Sequence, residues 1–373
     1  MDEGVHDVQP HRPRVDEGAS LRSALTSGPR GRRVCLEVAR QLSDEVAAAT
    51  HRLAYQRTAG VVHLTVHGAA REDEAGEPEC ATPAVAGLAE LIADVAVEPH
   101  TDVDSALGAS VDAAMYWQPR DEFDVVAAEP TVAKALVRIA DRLATHPGAS
   151  WWTGDRRPDQ WAIEWHDPGG AIEIGTDPEP RLQSWREQVD DEEQRARSER
   201  PADVEANWSG TWWSSPSGFL VTTGTTPDGV PAGLRLVEDS LGWISATAIP
   251  VRGAGRTYEI RTAEDWARLC RRHPLEVTAS RRHDWYRTTG RDGRWLIPDW
   301  QAIAEGWDAV HLTVAGYLGA ATRPIRVDDE FSTVLAGWGP DATLWLTASV
   351  REWEGPRIEW RRDGDVWMQD TRP

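Results

Sequence analysis

The apolar positions change period several times along the chain. Between 34 and 57, Cys35, Val38, Ala39, Leu42, Val46, Ala49 and Leu53 recur at spacings of three and four. That stripe predicts one long amphipathic helix. Gly60 closes it, and the β-branched run Val61–Val66 predicts a strand. A second helix is expected over 83–97. A third is expected over 131–145, with Val132, Leu136, Ile139 and Leu143 inward and Pro147-Gly148 as its stop. Strands are expected at 149–153 and 160–166. Residues 182–199 have helical propensity but are apolar only at Leu182, Trp185 and Val189, which predicts a solvated connecting helix.

Past Trp208 the apolar runs shorten, and glycines and prolines punctuate them. Strands at 218–223, 233–238, 243–249 and 256–261 would form an antiparallel meander. Thr262 and Asp265 form a capping-box-like start to a helix with Trp266, Leu269 and Cys270 inside, ended by Pro274. A short helix at 299–306, capped by Asp299, leads to a strand at 309–314. The pattern as a whole predicts an α+β protein with mixed or antiparallel sheets, a few packed helices and two modules. The divisions are a disordered arm (1–33), an N-terminal α+β module (34–181), a charged helical linker (182–207) and a Trp-rich C-terminal α+β module (208–373). The arm is assigned from its Pro, Gly, Arg and acid content without periodicity.

An internal echo accompanies this layout. His-Leu-Thr-Val occurs at 63–66 and 311–314, Asp-Glu-Phe at 121–123 and 329–331, and Ile-Glu-Trp at 163–165 and 358–360. The order agrees between copies and the spacings do not, so coincidence is the stronger reading.

Composition narrows the chemistry. The net charge is −21, and the module from 208 onward, with 22 acidic and 19 basic residues, contributes little of it. An acidic surface repels nucleic acid and anionic membranes. No apolar run is long enough to span a bilayer, and the first residues carry acids where a signal peptide needs bases, so a cytoplasmic protein is expected. Cys35, Cys80 and Cys270 are scattered and odd in number, which argues against a disulfide framework or a cysteine zinc site. Lys134 is the sole lysine and lies in a helix, so neither a phosphate-binding P-loop nor a Schiff-base lysine is available. Gly-x-Gly-x-x-Gly after a strand, Gly-x-Ser-x-Gly and His-Glu-x-x-His are absent. His63 and His67, four apart on a strand, would stand about 13 Å apart, too far for one zinc.

The richest polar stretch is Arg281-Arg282-His283-Asp284-Trp285-Tyr286-Arg287. Arginines between aromatics can grip a phosphate or carboxylate while a ring stacks on a base. The competing reading is a solvated hairpin anchored by its aromatics. Trp208 to Pro216 alternates indoles with Ser and Thr, as a pocket wall or a half-buried strand would. His311 reads as a satisfied core histidine. The Trp-rich composition, 20 indoles between Trp117 and Trp367, also suits carbohydrate stacking, but the absence of an export signal argues against it.

The phrases GTWWSSP, LVEDSLGW, HPLEVTASRRHDWYRTTG, DAVHLTVAGYL and VLAGW, between Trp208 and Leu346, resemble actinobacterial proteins of unknown function. The order of elements in that module also resembles small mixed α+β enzymes such as ADP-ribosyltransferases. That resemblance implies a cleft between two sheets and a late catalytic glutamate, for which Glu352, Glu354 and Glu359 are available, although none sits in a family motif. Two functions follow. The preferred one is a non-enzymatic protein, immunity-like, that binds another protein or a small anionic ligand and needs no cofactor or metal. The alternative is an NAD-dependent transferase in which Arg281, Arg282 and Arg287 hold phosphate and Trp285 or Tyr286 stacks.

Overall fold

The computed structural model describes residues 17–66, 81–166, 172–240, 242–364 and 366–370. The fold is α+β, with mixed parallel and antiparallel sheets.

Seven helices come first: α1 (Glu17–Ser27), α2 (Pro29–Leu42), α3 (Asp44–Val66), α4 (Ala81–Ala93), α5 (Val103–Asp112), α6 (Glu122–Ala128) and α7 (Pro130–Leu143). α2 is the hub and packs on α1, α3, α5, α6 and α7. Half of the expected disordered arm is therefore structured, since Leu21 and Leu25 of α1 lie in the core. The start of α2, Pro-Arg-Gly-Arg-Arg, lacks an apolar stripe because its inward face is ionic. Arg30 and Arg33 are buried and pair with Asp124 of α6, and Arg33 also pairs with Glu37. Gly28, between α1 and α2, packs so closely on Gly319 that a Cβ would stand 3.1 Å from the backbone there.

The predicted helix over 34–57 is two helices that meet at Ser43. The predicted strand Val61–Val66 is the last part of α3. β-branched residues cost a helix only a few tenths of a kcal/mol each, so a helix already nucleated runs through them. The strand argument about His63 falls with it, and His67 lies outside the described residues. Cys80 lies outside them too. Cys35 and Cys270 are buried free thiols.

A 3-10 turn (Pro147–Thr153) replaces the strand expected there and leads into β1 (Asp159–Trp165) and α8 (Glu179–Glu199). Then come β2 (Val221–Thr223), α9 (Ala232–Arg235), β3 (Ser245–Gly253), β4 (Thr257–Ile260), α10 (Ala263–Arg272), β5 (Pro274–Glu276), α11 (Thr278–Thr289), β6 (Arg294–Pro298), α12 (Trp300–Ala304), β7 (Ala309–Leu312) and α13 (Val314–Ala320). The chain closes with β8 (Ile325–Arg326), β9 (Phe331–Thr333), β10 (Ala342–Trp345), β11 (Val350–Glu352), β12 (Ile358–Asp363) and β13 (Val366–Gln369). α9 stands where a strand was expected over 233–238.

Nine strands form one sheet in the order β13-β12-β3-β1-β2-β10-β7-β4, with β11 also on β3. All its pairings are antiparallel except β4 with β7. A smaller sheet runs β5-β6-β9-β8. β1 lies between β3 and β2, so a strand from before residue 181 is an interior strand of the sheet made by residues after 208. One core runs from Leu21 through α7 and α13 to Leu346.

Two of the echoed phrases fold differently in their two copies. Residues 63–66 are helical, whereas 311–314 end β7 and begin α13. Asp-Glu-Phe opens α6 in one place and β9 in the other. Ile-Glu-Trp is a strand in both, with Ile163 and Ile358 opposite Ala248.

Candidate functional site

A groove of about 480 Å³ opens on one face of the large sheet. Its floor is β1, β2 and β10, and its walls come from the 212–219 segment, the stretch after α9, Trp243 and the 337–340 loop. Indole or phenyl rings of Trp165, Trp212, Trp213, Phe219, Trp243 and Trp338 line it. The segment from Trp208 to Pro216 is thus not a strand. It is an irregular wall that carries Trp212 and Trp213 to the site. Gly337 makes the close approach possible. Its φ is +71°, and a Cβ there would meet Trp213.

Among the described residues Glu238 is the only ionisable one that lines the groove. Oε1 accepts from the hydroxyls of Tyr116 at 2.8 Å and Tyr317 at 2.9 Å, and Oε2 accepts from the backbone N–H groups of Gly337 at 2.8 Å and Trp338 at 3.2 Å. Burial pushes its pKa up to about 7, against the pull of these donors and of Arg30. The same burial, reinforced by Glu238, holds both tyrosines well above their ordinary value. The carboxylate joins α13, the 337–338 loop and the segment after α5, three regions far apart in sequence.

The arginine-aromatic cluster lies elsewhere. Residues 278–289 form α11 rather than a hairpin, and Gly290 ends it at φ +71°. Arg281, Asp284, Trp285 and Thr288 share its buried face at helical spacing. Arg281 pairs with Glu192 of α8 at 3.0 Å. Asp284 accepts from the Gly210 N–H at 3.0 Å and from Arg287, which also donates to the Trp208 carbonyl at 2.6 Å. Trp285 donates to the Trp212 carbonyl at 2.8 Å. The His283 ring bonds the Asp203 carbonyl at 3.1 Å, and the Tyr286 hydroxyl donates to Glu205 at 2.8 Å. Arg282 is half-buried and donates to Ala279 of its own helix at 3.4 Å. Burial lowers the pKa of Arg281 and His283 and raises that of Asp284. None of these residues lines the groove. They hold the 203–212 segment, and through it the tryptophans that do. Arg281→Ala is expected to cost about 2–3 kcal/mol, below the range for a fully enclosed pair because Glu192 keeps some water. Arg282→Ala should stay within about 0.5 kcal/mol. Urea unfolding of the two variants checks both.

A second polar cluster lies within the sheet. His311 of β7 is fully buried, with Nδ1 2.7 Å from Glu259 of β4 and Nε2 3.5 Å from Asp341. Glu259 also accepts from the Arg156 N–H at 3.1 Å, and Asp341 from the Gly224 N–H at 2.9 Å. Burial disfavours the imidazolium, but the carboxylates of Asp341 and Glu259 outweigh it and raise the pKa to about 9. The two carboxylates thus favour the imidazolium at neutral pH, and the ring is buried and does not line the groove.

Glu352, Glu354 and Glu359, the late glutamates, are exposed and lie outside the groove. Among the described residues no cluster of His, Cys, Asp and Glu is disposed to hold a metal ion, and no helix is long and apolar enough to cross a membrane. Compared with protein-family models, curated proteins and solved structures, the chain matches none. Sequence reasoning missed the groove residues Glu238, Trp243 and Trp338 as a site. They lie about a hundred residues apart at the extremes, and no local motif joins them.

Proposed function

We propose that this is a cytoplasmic binding protein that holds a small ligand in the tryptophan groove without turning it over. The observation that carries this reading is the groove itself: about 480 Å³, walled by indoles, with one carboxylate. Pockets of that size and lining suit small organic ligands. The absence of turnover is inferred from its chemistry. Chemistry on a bound ligand needs a nucleophile or an acid–base group free to act. Glu238 is occupied by four donors, and His311 is sealed beneath the sheet.

Among its described lining residues the groove also offers no basic side chain, so a phosphate or NAD would find no counter-charge there. The test is ligand-induced stabilisation and tryptophan fluorescence of the full chain, since β1 belongs to the sheet and a fragment from 208 would lack it. A ligand at about 100 times its dissociation constant adds about 2.7 kcal/mol. The expected result is stabilisation by an uncharged or cationic aromatic-binding ligand, lost in Trp243→Ala, with no chemical change in the ligand. Stabilisation by NAD⁺, or conversion of the ligand, would overturn the reading.

A further inference from the structure

We propose that the tryptophan groove takes a quaternary ammonium cation. The inference rests on the groove being a ligand site, and it names the class of ligand.

Three features converge on that class. The first is charge: among the described residues Glu238 is the one ionisable side chain lining the groove, and its ionised form is negative. The second is the wall, since indole faces attract cations through the ring quadrupole, most strongly where water is excluded. The third is the hydrogen-bonding state of the polar lining. Both oxygens of Glu238 already accept from two donors each. The Thr222 hydroxyl donates to Gln160 and accepts from the Trp345 indole. The Thr223 hydroxyl accepts from the Gly233 N–H, and the Ser215 hydroxyl donates to the Gly337 carbonyl. A primary ammonium brings three N–H donors that each need an acceptor. Here the carboxylate oxygens of Glu238 and the hydroxyls of Thr222 and Thr223 are already engaged, which leaves only the Ser215 and Ser217 hydroxyls among the described lining side chains to accept. A quaternary ammonium carries charge and methyl surface and no donor, so it uses what the groove offers: a negative charge, aromatic faces and apolar contact.

The experiment is calorimetric titration of the full chain with choline, with ethanolamine, and with the uncharged carbon isostere of choline. It is run near pH 8, where Glu238, held at about 7 by burial, is ionised. The groups facing that carboxylate are Arg30, which is paired with Asp124, and Tyr116 and Tyr317, whose hydroxyls are held well above their ordinary value and stay neutral between pH 6 and 8. Choline is expected to bind at least about tenfold more tightly than either comparator, a difference of about 1.4 kcal/mol. At pH 6 its affinity should fall about tenfold as the carboxylate takes up a proton. Glu238→Gln and Trp243→Ala should each lose about tenfold, with unchanged circular dichroism showing that the fold survives. If the isostere or ethanolamine binds as well as choline, the cation assignment is overturned while the groove remains a ligand site. If none of the three binds, and a panel of neutral heterocycles also leaves the tryptophan fluorescence unchanged, the ligand-site reading falls as well.

Discussion

Asp124→Ala will destabilise the protein by about 3–5 kcal/mol, the largest loss expected from a single substitution here. Asp124 is buried in α6 and pairs with two buried arginines of α2, Arg30 and Arg33. Arg30 is wholly enclosed. Its other donors go to the Ser110 carbonyl at 2.6 Å and the Thr322 hydroxyl at 3.2 Å, neither of which carries charge. Burial already lowers its pKa. Removing the carboxylate leaves a guanidinium in the core with no full counter-charge, and a charge in that position is costly. The arginine cannot escape to solvent, because α1, α5 and α13 close around it. The double variant Arg30→Met, Asp124→Leu should recover most of the loss, since an apolar pair avoids the desolvation cost that the ion pair only offsets. Urea unfolding of the wild type, the single variant and the double variant checks this. A single-variant loss below about 1 kcal/mol would show that water reaches Arg30.

The second large effect is on pH dependence. His311 is raised from its ordinary value of 6.5 to about 9 in the folded protein. Folding thus favours its protonated form. The stabilisation is complete below about 6.5 and is lost as pH rises through about 9. The shift corresponds to about 3 kcal/mol across that window. Glu238 acts in an adjacent window. Its carboxyl is raised from 4.5 to about 7, so folding favours the neutral acid, and that contribution is complete below about 4.5 and lost by about 7. Both slopes run the same way, and they can be separated. His311→Gln should flatten the stability profile between about 6.5 and 9 and leave the acid limb. Glu238→Gln should do the reverse. Chemical unfolding at a series of pH values reads both. An unchanged alkaline slope in His311→Gln would show that the imidazolium is not formed between Glu259 and Asp341.

The two clusters also show what local pattern can and cannot reveal. Helices with apolar stripes were legible. α7 has Val132, Leu136, Ile139 and Leu143 inward, and α10 has Trp266, Leu269 and Cys270, both as expected from spacing. α11 was not legible, because its buried face is Arg281, Asp284 and Thr288 around a single Trp285. A polar residue can be buried when its partner waits on another element, and that partner cannot be seen from the helix itself. The same reason hid the start of α2, whose Arg30 and Arg33 look solvent-facing until α6 brings Asp124 to them.

By itself the sequence determined the α+β class, the apolar stripes of α7 and α10, the capping residues Thr262 and Asp299, and the core placement of His311. These follow from spacing and short-range hydrogen bonds, which neighbours in the chain decide. Tertiary structure alone decided that β1 enters the sheet of the later residues, that α11 scaffolds the 203–212 segment, and that Glu238 meets Tyr116, Tyr317 and the 337–338 loop beside a wall of indoles. Each of these joins residues about 60 to 120 positions apart. Their partners are chosen by the burial of charge and shape across the whole fold, and no local period records that choice.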